Sequence, residues 1–199
     1  MYTLVGAPMT RAFRVLWMLE ELGLEYDLKP EMPHSDVVKA VNPAGKIPAL
    51  IEGDTIITDS VAIIQYLADK HDGPTYAAGT LERAQQDSLL HCINDEIDST
   101  LWTAARNTMF LPEEKRVPEI KDTLKWEFSR SIKSLEQRLG DGPYLMGEKF
   151  TVPDIVLAHC CGWARSAKFD LGDGPIRDYV RRVIAHDAYQ RADKIRAAG

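Results

Sequence analysis

Four stretches of this chain place polar or constrained residues where a folded backbone can do chemistry. In Thr58-Asp59-Ser60-Val61-Ala62-Ile63-Ile64-Gln65-Tyr66-Leu67 the polar residues stand where an apolar helical spacing begins. The first N–H groups of a helix lack partners within it and the dipole is positive there, so such a start suits a carboxylate. N-capping by Asp59 or Ser60 accounts for the same residues, and both readings are open. In Asn42-Pro43-Ala44-Gly45-Lys46-Ile47-Pro48-Ala49-Leu50 a proline directly precedes a short apolar run. Pro48 has no N–H for a ladder and belongs at a strand start, either as an ordinary trans proline closing a loop or as a cis proline. In Gly6-Ala7-Pro8-Met9-Thr10-Arg11, Thr10 carries the only hydroxyl and is placed to cap the segment that follows. Thr151-Val152-Pro153-Asp154 has capping-box spacing, with Asp154 reaching back to the Thr151 N–H and Pro153 suiting a first helical turn. That makes Asp154 structural, and it is not a site candidate.

These residues need elements to hold them. Tyr2 to Gly6 reads as a buried strand. Ala12, Val15, Leu16, Leu19 and Leu22 then recur at helical spacing up to Gly23, and Tyr26 to Leu28 forms a second strand. A strand, a helix and a strand in this order make a βαβ unit with parallel pairing and a right-handed crossover. After an irregular stretch, Ala49-Leu50-Ile51 and Thr55-Ile56-Ile57 flank Glu52-Gly53-Asp54 as an antiparallel hairpin, and a helix opens at Asp59-Ser60. Beyond His71-Asp72-Gly73-Pro74 the patterns are helical: Leu81 to Phe110, Val117 to Leu139, Pro153 to Lys168, Pro175 to Ile184, and a segment from Asp187. The expected division is an α/β domain over residues 1–75 and an all-α domain over residues 80–199.

Composition narrows the partners. The chain has 199 residues, 24 basic and 30 acidic, for a net charge of −6 and no basic run. That argues against an electrostatic grip on nucleic acid or an anionic membrane. No apolar run has the length of a membrane span, and the N-terminus lacks the basic start and apolar stretch of a signal peptide. Three cysteines, Cys92, Cys160 and Cys161, are too few and too badly spaced for a disulfide framework, so a reducing, cytoplasmic setting is expected. Cys160-Cys161 sits in an apolar helical run, where thiols behave as small buried hydrophobes.

The β-α-β, loop, β-β-α order with Pro48 at a strand start suggests the thioredoxin fold. In that fold the residue before a cis proline offers its backbone N–H and C=O to a peptide-like thiol. Taken together, Asn-Pro-Ala-Gly-Lys-Ile-Pro-Ala-Leu, Thr58 to Leu67, Phe150-Thr151-Val152-Pro153-Asp154-Ile155 and an all-helical second half resemble the glutathione S-transferase family, of the cytosolic, bacterial-like kind. The resemblance covers essentially the whole chain.

It implies a thioredoxin-like α/β domain that binds glutathione and an all-α domain that carries the electrophile pocket. It also implies a homodimer, and a detoxifying conjugation of glutathione to a small-molecule electrophile with no metal. Ile47 and Pro48 would meet the cysteinyl backbone of glutathione, Asp59 and Ser60 its γ-glutamyl end, and Lys46 and His34 its glycine carboxylate. The reactive position falls in the 6–11 turn, where relatives carry Ser, Tyr or Cys and this chain has none of them. Thr10, with the Arg11 backbone N–H, is the candidate for stabilising the thiolate; a register one residue earlier points to Met9 instead. Trp102, Arg106 and Trp163 lie on helices that face the cleft in the family. Arg106 is a candidate ligand of the second substrate, and Trp102 serves that substrate or the core. Thiol–disulfide exchange would need a cysteine in the turn. A non-catalytic glutathione-transferase-like binding or assembly module is the alternative reading.

Overall fold

The computed structural model describes residues 1–198. The described chain forms two compact units, Met1–Ala78 together with the C-terminal segment from Ile184, and Gly79–Val183.

The first unit is built on a four-stranded sheet: β1 (Tyr2–Val5), β2 (Tyr26–Lys29), β3 (Ala49–Glu52) and β4 (Thr55–Thr58), in the order β2-β1-β3-β4. β1 and β2 run parallel, with Tyr2 opposite Tyr26. β1–β3 and β3–β4 are antiparallel, with Val5 opposite Ala49 and Leu50 opposite Ile57. The parallel pairing of the strand–helix–strand unit and the antiparallel hairpin are those expected from the spacing. Between β1 and β2 lies α1 (Ala12–Glu21), and after β4 comes α3 (Ser60–Lys70). The supposedly irregular stretch holds a short helix, α2 (Asp36–Val41), whose Ser35 hydroxyl accepts the Val38 N–H. One buried apolar residue in so short a segment gives no readable period. That residue, Val38, packs on Val5 and Ala49, while the alternation of the strands turns Leu4 and Leu50 to the opposite face.

The last helix, α9 (Asp187–Ala198), also belongs to this unit, whereas the sequence pattern grouped it with residues 80–199. The cause is an aromatic cluster: Tyr189 stands edge-on to Trp17 at 4.9 Å and to Phe13 at 5.4 Å. Arg191 adds bonds to the Glu20 carboxylate at 2.8 Å and the Glu20 carbonyl at 2.7 Å. With sheet, α3 and α9 all packed on it, α1 is buried on every side from Ala12 to Leu19.

The second unit is helical: α4 (Leu81–Cys92), α5 (Ser99–Ala105), α6 (Ile120–Glu136), α7 (Val152–Ser166) and α8 (Ile176–Ile184). The pattern from Leu81 to Phe110 is one helical run, interrupted by π-helical turns at Ile93–Asp98 and Arg106–Phe110. At its centre Asp154 accepts from the Thr151 N–H at 2.8 Å, the Thr151 hydroxyl at 3.1 Å, the Leu145 N–H at 3.0 Å and the Tyr179 hydroxyl at 2.7 Å. Burial pushes its carboxyl up from the usual range, and these donors pull the other way. Among the described residues no helix is long and apolar enough to cross a membrane.

Candidate functional site

Gly6 joins two of the predicted stretches. Its φ is +146°, and a Cβ there would meet Ile47 Cβ at 3.1 Å and the Pro48 Cα at 3.4 Å. Only a residue without a side chain lets the β1–α1 turn approach so closely. The Ile47–Pro48 peptide bond is cis. The turn is tied down by the Gly6 N–H to the Lys29 carbonyl at 2.9 Å and the Ala7 N–H to the Glu31 carbonyl at 2.8 Å.

Within the turn Thr10 sits half-buried, and Met9 is 74% exposed. The Thr10 hydroxyl donates to the Ala7 carbonyl at 2.8 Å and accepts the Ala12 N–H at 3.2 Å. The expected hold on the helix start is made from one residue before the N-cap: Thr10 takes the first helical N–H, Ala12, while the N-cap position itself is Arg11 and makes no side-chain cap bond. Arg11 follows as the last residue before α1.

At the start of α3 the acidic residue is the cap. Asp59, at φ 73°, accepts the N–H groups of Val61 at 2.9 Å and Ala62 at 3.1 Å on one oxygen, Oδ1. Two of the helix donors offered to a ligand carboxylate by the sequence reading are thus already engaged, and Oδ2 lies outside these bonds. Ser60 is buried, and its Oγ accepts from Nη1 of Arg14 at 3.3 Å. Arg14 itself, 1% exposed, was not among the sequence candidates. A single arginine between Phe13 and Val15 in an apolar helix was its only trace in the sequence.

The loop before β3 brings His34 onto Gly45, the residue before Lys46. Asn42 holds the loop through its Nδ2 to the Lys46 carbonyl at 2.8 Å, and the His34 N–H donates to the Gly45 carbonyl at 2.8 Å. The His34 ring covers Gly45, where a Cβ would fall 2.2 Å from Nδ1. Both His34 and Lys46 are exposed.

Trp102 and Arg106 lie on the helical unit, where the Trp102 ring packs on Phe110 at 5.5 Å and Arg106 is exposed. A polar groove of about 560 Å³ on that unit is lined by Asp95, Glu96, Thr103, Glu127 and Arg130 among others, and neither predicted residue borders it. The surroundings disfavour the thiolate at Cys92 and Cys161. Cys160 is buried with its thiol 3.7 Å from Asp98, and burial pushes the Cys161 thiol up, with Cys160 adding to it. Burial also raises Cys92, with Glu96 reinforcing it.

Residues 4–75 match the model of the glutathione S-transferase N-terminal domain, and residues 124–186 that of the C-terminal domain. The chain is 28% identical over 184 residues to glutathione S-transferase GstA of Escherichia coli O157:H7, covering 87% of this chain and 88% of that protein. It is 32% identical over 168 residues to the probable glutathione S-transferase GSTF2 of Oryza sativa subsp. japonica, covering 75% and 73%. The crystal structure of a glutathione transferase from Methylococcus capsulatus superposes with a TM-score of 0.86 at 30% identity, over 100% of both chains. The similarity thus runs through both units of a chain built on a thioredoxin-like sheet and a helical bundle: the chain belongs to the glutathione S-transferase family.

Proposed function

We propose that this chain binds glutathione and conjugates it, through its sulfur, to an electrophilic carbon of a small molecule. The thiolate attacks that carbon and either displaces a leaving group, which departs with its bonding electrons, or adds across an activated double bond, which then takes up a proton. The observation that carries the reading is the approach of the 6–11 turn to Ile47 and Pro48 at Gly6. It supports a single thiol peptide touching both. In this reading Ile47, ahead of Pro48, pairs its backbone with the cysteinyl unit. The Ser60 hydroxyl takes the γ-glutamyl carboxylate, Asp59 Oδ2 meets the ammonium, and Lys46 and His34 serve the glycine carboxylate.

A free thiol of pKa about 8.5 is only a few per cent ionised at neutral pH, and lowering it by two units takes about 2.7 kcal/mol. A hydroxyl donated by Thr10 contributes about 1.5–3 kcal/mol. The start of α1, with the Arg11 N–H, adds about 0.3–1 kcal/mol. Together, at about 1.8–4 kcal/mol, these span the requirement, and the reading invokes no general base. To donate to sulfur the Thr10 hydroxyl turns away from the Ala7 carbonyl, which keeps the Thr10 N–H at 3.0 Å and is not orphaned. Trp102 and Arg106 are assigned to the electrophile, the cytoplasm to the protein's location, and a homodimer to its assembly; sedimentation at micromolar concentration tests the last.

The hold of Ala7 on the Thr10 proton favours a second reading, a module that binds glutathione without turnover. Calorimetric titration with glutathione, followed by an aryl-halide conjugation assay, separates the two. Binding with turnover supports the transferase, binding alone supports the module, and neither defeats both.

A further inference from the structure

We propose that Arg14 is a positioning residue: its buried guanidinium makes Ser60 an obligatory hydrogen-bond donor and so makes the start of α3 selective for the carboxylate of the γ-glutamyl end. This rests on the glutathione reading given above. A guanidinium donates and never accepts, so in the bond from Arg14 Nη1 to Ser60 Oγ, at 3.3 Å, the hydroxyl must accept. Its one proton is then directed elsewhere. The other donors of this helix start are spoken for: Val61 and Ala62 give their N–H groups to Asp59 Oδ1, and Ile63 gives its own to the Asp59 carbonyl at 3.0 Å. Among the described residues, neither the Ser60 N–H nor its hydroxyl proton has an acceptor in the protein. Two unengaged donors on a buried residue, with a guanidinium N–H already on the hydroxyl oxygen, suit a carboxylate and offer an ammonium nothing to donate to. Asp59, exposed beside them, carries the opposite charge for the ammonium. An arginine stays protonated throughout the working range of pH, so the polarity of Ser60 is constant.

The test compares glutathione with 4-aminobutyryl-cysteinylglycine, which keeps the ammonium and thiol and lacks the γ-glutamyl carboxylate. Their affinities are measured by calorimetry on the wild type, Arg14→Gln, Ser60→Ala and the double variant. The wild type should prefer glutathione. That preference should fall roughly tenfold in each single variant, the loss of one charge-assisted hydrogen bond. The double variant should lose little more, because both changes disable one donor. Arg14→Gln should raise KM for glutathione and leave kcat at saturation unchanged. A folded Arg14→Gln protein with its preference intact, or losses that multiply in the double variant, would overturn the proposal. Should Arg14→Gln not fold, the guanidinium ¹H–¹⁵N resonance of Arg14 in the wild type decides: it should shift with glutathione and not with the analogue, and equal responses to both count against it. If the wild type binds neither peptide, the glutathione reading itself fails and takes this inference with it.

Discussion

Thr10 gives its one hydroxyl proton to the Ala7 carbonyl at 2.8 Å, while the same oxygen accepts the Ala12 N–H at 3.2 Å. Thr10 is thus a cap at rest and a donor to sulfur only after rotation. Thr10→Val should show both losses. Removing the cap costs about 0.5–2 kcal/mol of stability. The pKa of the bound glutathione thiol should rise by a unit or more, lowering turnover at neutral pH and sparing it at alkaline pH, where the thiol ionises unaided. Thr10→Ser should restore both properties. Ultraviolet thiolate titration of the complexes is the measurement; superimposable curves remove Thr10 from the mechanism and leave the backbone N–H groups of Thr10 and Arg11.

The two ends of glutathione should contribute unequally. Ser60 is buried, so losing its charge-assisted bond costs about 1.5–3 kcal/mol, and Ser60→Ala should weaken binding tenfold or more. Lys46 is exposed, and an exposed ion pair is worth about 0–1 kcal/mol, so Lys46→Ala should cost less than about fivefold. Calorimetry in low and high salt checks the ranking, since salt should erase most of the Lys46 effect and little of the Ser60 effect. The reverse order would move the anchoring carboxylate to the other end of the peptide.

The buried centre of the helical unit makes a stability prediction. Tyr179→Phe deletes the 2.7 Å bond to Asp154 and should cost about 1.5–3 kcal/mol. Asp154→Asn should cost more, because its amide would set N–H groups against one of the pairs of donors facing the carboxylate. Urea denaturation reads both. Activity per folded molecule should not change, and a selective loss of kcat in Tyr179→Phe would give this centre a role in chemistry that its geometry does not suggest.

Docking of α9 on α1 rests on aromatic contact more than on charge. Tyr189→Ala, which removes the ring facing Trp17 at 4.9 Å and Phe13 at 5.4 Å, should destabilise the chain by about 2–4 kcal/mol. Arg191→Ala should cost about 1 kcal/mol or less, as its side chain is 51% exposed. Melting curves with tryptophan fluorescence distinguish the two, and equal losses would mean that the Glu20 bonds carry the contact.

How much of this was written in the sequence follows from the range over which each signal acts. The β1–α1–β2 crossover, the 49–58 hairpin and the helical run from Leu81 to Phe110 were legible because local periodicity and turn residues specify them. The Thr151–Asp154 box was legible too, being a bond across three residues. Helix α2 was not, since six residues with one buried contact carry no period.

What lay outside the sequence pattern are relationships between residues far apart in the chain. Ser60 could be placed at a helix start, yet its partner Arg14 lies 46 residues earlier, and nothing in either segment announces the other. Asp59 and Ser60 were interchangeable as caps on paper. Only the backbone, with Asp59 at φ 73°, sends one outward to hold the helix and turns the other inward to the arginine. The amphipathic spacing of α1 predicted one buried face; its full burial needed α9, which follows more than 160 positions later. Local sequence determines which elements form, because capping and periodicity act within a turn or two. Which charged group is buried, and which hydroxyl is left with a proton to give, is decided by packing between elements, whose energy depends on contacts that no stretch of chain contains by itself.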